Sequence, residues 1–201
     1  MLTLYTVGHS THSIDHFVGL LEKHQIQAIG DVRSSPFSRF NPQFNQDNLS
    51  RSLKSHGISY VFLGDQLGAR RKESECYVGN KVSYELVAKT KLFQDGLARL
   101  RVGAAKMRVA IMCAEKDPIT CHRTILVAKE AKNDFGQILH IRETGMIEDH
   151  KQAEERLLAA YRVNESDLFV SREERLDDAY RRRAEEIAFE EQQLTPEKKH
   201  E

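Results

Sequence analysis

The chain has 201 residues, 40% of them hydrophobic, and its 30 basic and 30 acidic side chains give a formal net charge of zero. A neutral chain lacks the excess positive charge that favours binding to nucleic acid or to an anionic membrane surface, and no apolar run of about 18 residues could cross a bilayer. Because it has three cysteines and an N-terminus without a secretory signal, we expect a cytoplasmic protein without a disulfide framework.

Short β-prone segments alternate with segments of helical periodicity over the first two-thirds of the chain. In chain order, strands are predicted at 2–7, 26–32, 58–64, 108–113 and 136–141. Helices are predicted at 11–24, 46–57, 83–104 and 121–133, and loops at 34–44 and 66–82. Beyond residue 144 charged residues dominate, and we expect two helices with solvated faces there.

This alternation predicts an α/β fold: a Rossmann-like, open and mostly parallel sheet with helices on both faces, plus charged C-terminal helices. We divide the chain into an α/β core at 1–145 and a charged helical extension at 146–201. The extension is expected to pack on the core and to be frayed after about residue 193.

The polar residues best suited to catalysis or ligand binding follow the predicted strands directly. In open parallel sheets the loops at the carboxyl ends of the strands meet at one edge and form the ligand pocket. The candidates are His9 and Ser10 after the first strand; Asp31, Arg33 and Arg39 after the second; and Cys113, Glu115, Cys121, His122 and Arg123 after the fourth. We therefore predict one shared pocket.

Each residue type suggests a role in that pocket. Cys121, at the start of a helix, is the predicted nucleophile, with Cys113 as the second choice. His122 and His9 are candidate acid/base groups, and Asp31 and Glu115 are candidate acid/base or orienting groups. The predicted substrate-binding residues are Ser10, Arg33, Arg39 and Arg123, since helix starts and guanidinium groups bind anions.

Plain structural roles stay open for several of these residues. Cys113 is a small apolar side chain at a strand end, and Asp31 with a nearby arginine forms an ordinary internal ion pair in many proteins. Phenylalanines in the loop at 34–44 are expected to anchor it in the core. The basic run 70–72 is interpreted as a solvated loop face.

Spacing argues against several common sites. An arginine six positions after either Cys113 or Cys121 would indicate a tyrosine-phosphatase-type loop, but Ile119 and Val127 stand there. Glycine patterns for dinucleotides and the P-loop are missing from the sequence. Seven residues separate the two cysteines, unlike the C-x₂₋₄-C pairs of structural zinc sites, so we assign no metal ligands from the sequence.

Four blocks resemble the family called domain of unknown function 488. They are TVGHS at 6–10, DVRSSPFSRFNPQF at 31–44, GISYVFLGDQLGAR at 57–70 and MCAEKDPITCHR at 112–123, followed by LHI at 139–141. Where the family usually has a second glycine, this chain has Ala69. The resemblance implies a Rossmann-like fold in a bacterial-type cytoplasmic protein and the same polar positions, but it implies no substrate.

Three functional hypotheses follow. The first is a transferase or hydrolase that binds an anionic, phosphate- or nucleotide-like substrate and uses Cys/His/Asp/Arg chemistry. The second is a non-catalytic nucleotide- or nucleic-acid-binding module in which Phe37, Phe40 and Phe44 stack on bases. The third is a metal-dependent hydrolase that uses Cys113, Cys121 and His122. The sequence identifies neither a cofactor nor an oligomeric state, and no membrane partner is expected.

Overall fold

The structure, a computed structural model, describes residues 1–161 and 170–191 and is built around a six-stranded sheet. Its strands are β1 (Thr3–Gly8), β2 (Ala28–Asp31), β3 (Ser59–Phe62), β6 (Val109–Cys113), β7 (Gln137–Ile141) and β8 (Ile147–Asp149), in the order β3-β2-β6-β1-β7-β8. All neighbours are parallel except β7 and β8. The short strands β4 (Tyr77–Val78) and β5 (Lys81–Val82) form a separate hairpin. The predicted Rossmann-like α/β fold is confirmed.

Helices cover both faces of the sheet. They are α1 (Ile14–Lys23), α2 (Gln46–Ser55), α3 (Gly64–Leu67), α4 (Tyr84–Lys89), α5 (Lys91–Ala104), α6 (Lys129–Ala131), α7 (His150–Tyr161) and α8 (Arg172–Ile187). Short 3₁₀ turns occupy Pro42–Phe44, Ser74–Cys76 and Pro118–Thr120, and Arg123–Ala128 is π-helical. No helix within the described ranges is long and apolar enough to span a membrane.

Local chemistry explains where the predictions missed. The single helix predicted at 83–104 is two helices, because the Thr90 side chain accepts the Phe93 N–H at 3.2 Å and caps α5. The predicted loop at 66–82 contains a 3₁₀ turn and the β4–β5 hairpin. The interpretation of 70–72 as solvated is wrong for Arg71, which is buried and donates to Glu73 and to the Asp65 carbonyl.

Two apolar clusters sandwich the sheet. Phe17 of α1 and Leu49 of α2 pack on one face, and Phe93 of α5 and Tyr180 of α8 belong to the cluster on the other. All five residues of β6 are buried because β6 lies at the centre, whereas β3 at the edge is half exposed. The central strands therefore have little freedom, and their carboxyl ends form a rigid base for the loops that follow.

The predicted extension shares the sheet and core with the rest of the chain. Its first element, β8, pairs with β7, and α7 packs against both β7 and α8. The fraying expected after about residue 193 lies outside the described residues. The division into domains at 1–145 and 146–201 stays a prediction.

A buried chain of hydrogen bonds joins the extension to the sheet. His140 of β7 lies 2.8 Å from the Thr6 hydroxyl and, through Nε2, 3.0 Å from His150 Nδ1. His150 Nε2 lies 3.1 Å from the Tyr180 hydroxyl, which donates to Glu154. One proton arrangement satisfies every group: Thr6 donates to His140, His140 to His150, and His150 to Tyr180. Both rings are neutral in that arrangement.

Neutral, buried histidines should make the protein sensitive to acid. Burial lowers the pKa of His140 and of His150 below the ordinary 6.5, so the unfolded chain takes up more protons as the pH falls below 6.5. We expect the free energy of unfolding to fall from pH 6.5 to pH 5. His150→Gln should reduce that slope by up to about 1.4 kcal/mol per pH unit in urea-unfolding series.

The matched control is His56→Gln, because His56 is an exposed histidine whose side chain pairs with the surface residue Glu22. This variant should keep the wild-type slope. An unchanged slope in His150→Gln would contradict the buried neutral pair.

Candidate active site

Two polar networks meet at the carboxyl ends of the parallel strands. In the first, Arg33 donates from Nε to Asp31 Oδ1 at 2.9 Å and from Nη2 to Asp31 Oδ2 at 2.6 Å. Tyr60 donates to the same carboxylate at 2.7 Å, and Arg33 Nη2 also donates to the Phe44 carbonyl at 2.8 Å. Asp31 is fully buried. This ion pair therefore pins the proline-containing loop to the end of β2.

His9 belongs to the first network as a neutral ring. Its Nδ1–H donates to the Ser10 carbonyl at 2.8 Å, so Nε2 is free to accept from Arg33 Nη1 at 3.1 Å. The ring stacks on Phe44 with 4.3 Å between centroids. Burial and the neighbouring Arg33 lower the pKa of His9 from 6.5 to about 4. His9 thus accepts a hydrogen bond that orients Arg33 and carries no charge near neutral pH.

The second network, here called the thiol cluster, consists of Cys113, Glu115, Cys121 and His122. Both thiols donate to Glu115 Oε2, each at 2.9 Å. His122 Nδ1 lies 3.4 Å from Cys113 Sγ and 3.9 Å from Cys121 Sγ. His122 Nε2 donates to the Val32 carbonyl at 2.9 Å. The sequence prediction that these four side chains meet is consistent with this geometry.

The backbone holds the thiol cluster in place through close packing. β6 ends at Cys113, and a Cβ on Gly8 would lie 2.0 Å from the Glu115 carbonyl oxygen, so only glycine fits there. The side chain of Asp117 caps the 3₁₀ turn that returns the chain to Cys121. Arg123 is fully buried and donates to the Glu115 carbonyl at 2.5 Å and to the next carbonyl at 3.1 Å.

The two thiols differ in acidity. Burial raises the pKa of Cys113, and Cys121 and Glu115 raise it further. Burial opposes ionisation of Cys121 as well, but the neighbouring Cys113, Arg123 and His122 lower its pKa well below the ordinary value. Burial and the Cys121 charge raise the pKa of Glu115. Cys121 is therefore the thiol that ionises first.

The thiol cluster borders a cavity of about 340 Å³. Arg33, Arg70, Phe37 and the C-terminal residues Ile187 and Phe189 complete its walls. Arg70 stands 5.0 Å over the Phe189 ring. Another cavity, of about 320 Å³, lies beside Tyr180, so volume alone does not select a site. The reactive side chains of the thiol cluster identify the cavity of about 340 Å³ as the candidate site.

The thiol cluster has the donor set of a metal site. One ligand atom from each of its four residues lies within 4.8 Å of all the others. Two sulfurs, an imidazole nitrogen and a carboxylate oxygen are ligands that zinc accepts. The arrangement can thus supply either a reactive thiolate or a set of cation ligands.

Comparison with known families gives one match. A family model described as Domain of unknown function DUF488 matches residues 13–129. The chain belongs to this family. Neither the curated proteins nor the solved structures contain a match. The family match includes the thiol cluster and Arg33, whereas His9, Ser10 and the cavity residues Ile187 and Phe189 lie outside the matched range.

Some predicted site residues lie away from the cavity walls. Arg39 is exposed and stands 5.0 Å over the Phe40 ring. Arg123 donates to backbone carbonyls within the fold, so its guanidinium supports the loop. The Ser10 N–H donates to the Ala114 carbonyl at 2.9 Å, and the His9 N–H is likewise paired. The amides of His9 and Ser10 are thus already paired within the fold and are not free to bind an anion.

The sequence reasoning missed Tyr60, Arg70 and Phe189. Tyr60 of β3 is opposite Ile29 of β2 and reaches Asp31 diagonally, a contact that depends on register. Arg70 belongs to the basic run 70–72, which predicts a solvated loop face, although it is also the last residue of the resemblance block at 57–70. Phe189 stands 66 residues after the end of the reactive turn at 112–123, in a charged segment, and nothing in its local sequence indicates a pocket wall.

Gly8 offers a direct test of how the site is held. Gly8→Ala should destabilise the protein by at least about 2 kcal/mol, because the new Cβ would collide with the Glu115 carbonyl. Gly19→Ala is the control, since no atom lies within 4 Å of its Cβ position in α1; it should stabilise by about 0.5–1 kcal/mol. Urea unfolding measures both, and wild-type stability of Gly8→Ala would refute the packing argument.

Proposed function

We propose that the chain is an enzyme, a transferase or hydrolase, that binds a small anionic substrate in the strand-end cavity and acts on it with the thiol cluster. One observation carries the proposal: two thiols, a carboxylate and an imidazole border the same cavity as Arg33 and Arg70. Perturbed ionisable groups gathered at a cleft are typical of active sites. The cavity volume of about 340 Å³ suits a small molecule.

The electrostatics single out Arg70 as the main anion-binding group. The charge of Arg33 is compensated by Asp31, which it contacts through two hydrogen bonds. Arg70 is exposed, and its guanidinium stands over the face of the Phe189 ring. Its backbone N–H donates to the Ser34 hydroxyl at 2.8 Å, which places that serine at the same wall. An anion between Arg70 and Ser34 would lie on the open side of the thiol cluster.

The thiol cluster supplies thiolate chemistry to that anion. Cys121 ionises first and His122 lies beside it, so sulfur either attacks the substrate or holds a cation that activates it. Glu115 is the exposed member and is placed to exchange a proton with a bound molecule. Asp31 and His9 contribute by orienting Arg33.

The positions of the aromatic residues favour a pocket for a small molecule and argue against an extended surface for stacking nucleic-acid bases. Phe44 is buried under His9, where the core-anchor expectation holds. Phe37 and Phe40 are 73% and 79% exposed, contrary to that expectation, but Phe37 borders the cavity while Phe40 stacks with Arg39 elsewhere. Three rings therefore do not share one stacking surface. The nucleic-acid-binding alternative remains an untested prediction.

Removing Arg70 should weaken anion binding. Thermal unfolding with inorganic phosphate, nucleoside monophosphates and sugar phosphates screens for the ligand. A ligand at about 100 times its Kd should stabilise the protein by about 2.7 kcal/mol, or about 5–10 °C in Tm at this chain length. Arg70→Ala should lose most of that shift because it removes the cation from the cavity wall.

Arg39→Ala is the matched control, since Arg39 and Arg70 are both exposed and both stand 5.0 Å over a phenylalanine ring. It should keep the full thermal shift. Equal shifts in both variants, or no shift with any anionic probe, would overturn the proposed anion pocket.

A further inference from the structure

We propose that the thiol cluster is a binding site for Zn²⁺ or a similarly soft divalent cation, with Cys113, Cys121 and His122 as buried ligands and Glu115 as the ligand that faces the cavity. The metal site itself stands on geometry alone. Its use in turnover rests on the proposed function, since the cation would then polarise the bound anion.

The distances fit a tetrahedral cation after small movements. Ligand atoms around zinc lie about 3.3–3.8 Å apart when metal–ligand distances are about 2.0–2.3 Å. The sulfur–nitrogen distances here are 3.4 and 3.9 Å, and both sulfur–oxygen distances are 2.9 Å. Each side chain would therefore need to shift by less than about 1 Å to reach the geometry of a zinc site.

The hydrogen-bond partners of His122 and Cys121 are arranged as in known metal sites. A ligating histidine usually donates its other ring N–H to a carbonyl or carboxylate, and His122 Nε2 donates to the Val32 carbonyl. This bond fixes the tautomer whose Nδ1 lone pair faces the two sulfurs. The Arg123 backbone N–H points at Cys121 Sγ from 3.4 Å and would stabilise a coordinated thiolate.

The difference in exposure among the ligands suggests an exchangeable position. Cys113 and Cys121 are 3% and 1% exposed and His122 is buried, whereas Glu115 is exposed at the cavity. Catalytic zinc sites commonly combine three protein ligands with one open position. A substrate oxygen that replaces Glu115 would be bound to the cation, while the displaced carboxylate stays close enough to accept a proton. The cysteines then serve as ligands, and each thiol loses its proton to solvent on binding.

Cobalt titration tests the site without any substrate. The full-length protein is reduced, stripped with a chelator and titrated with Co²⁺ and then Zn²⁺. We expect one equivalent of Co²⁺ to produce a thiolate-to-cobalt charge-transfer band and the intense visible bands of tetrahedral cobalt. One equivalent of Zn²⁺ should then remove both.

Variants identify the ligands. Cys113→Ser and Cys121→Ser should each weaken Zn²⁺ binding at least tenfold in competition with a chromophoric chelator. Cys76→Ser is the matched control, because Cys76 is also a buried free cysteine but lies outside the thiol cluster. Glu115→Gln alters an exposed side chain and should fold normally, keep the thiolate-to-cobalt band and change the visible bands. Thermal unfolding checks that each variant is folded.

Either of two results would overturn the site. One is the absence of a saturable thiolate-to-cobalt band in the wild-type protein, and the other is a band that Cys76→Ser abolishes and Cys121→Ser leaves intact. The outcome is independent of the anion test. Metal binding without an anion-induced thermal shift would support this site and refute the proposed pocket, whereas a thermal shift without metal binding would support the pocket and leave Cys121 as a free nucleophile, against this inference.

Discussion

The buried guanidinium of Arg123 is the constraint on which the candidate site depends. Burying a charged group costs free energy that hydrogen bonds offset, and here both Nη nitrogens donate to carbonyls, those of Glu115 and Lys116, while Nε is buried without a hydrogen-bond partner among the described residues. Those bonds hold the turn after β6 in one conformation, and the missing side chain of Gly8 lets β1 approach the same turn. The Glu115 carboxylate is consequently held where both thiols reach one of its oxygens. A residue that resembles an anion-binding arginine in the sequence thus acts by fixing the reactive turn.

The two polar networks have different roles in the candidate site, and the backbone at Val32 connects them. Its neighbours in the chain, Asp31 and Arg33, form the compensated ion pair, while its own carbonyl accepts the His122 ring N–H. A shift of this short segment would therefore move the anchor of the loop and the orientation of the imidazole together. Because Asp31 neutralises Arg33, the first network adds shape and rigidity more than charge, and Arg70 is the cavity arginine on which the proposed attraction for an anion mainly rests.

The C-terminal part of the chain completes the cavity from outside the matched family region. Phe189 lies under the Arg70 guanidinium, and its carbonyl accepts the Val82 N–H at 3.0 Å, so the segment after α8 is fastened beside the cavity. The polar chain from His140 to Tyr180 secures the same helices to the sheet. The thiol cluster thus lies within the matched region, while part of the cavity wall comes from a segment outside it.

The sequence predicts features that depend on local patterns along the chain, and it does not predict those that depend on which residues meet in space. The mostly parallel sheet and the expectation that His9, Asp31 and Cys121 lie near one edge follow from alternation and from the rule for parallel strand ends, which require no knowledge of individual contacts. The strand order β3-β2-β6-β1-β7-β8 does not follow from either rule. The metal-ligand geometry was undervalued because seven residues separate the cysteines, and the 3₁₀ turn at Pro118–Thr120 is what returns Cys121 to the end of β6. Spacing rules count residues along the chain, whereas ligands meet in space. A capped turn shortens that spatial separation without leaving a spacing motif, so such a site is found only when the fold of the turn is known.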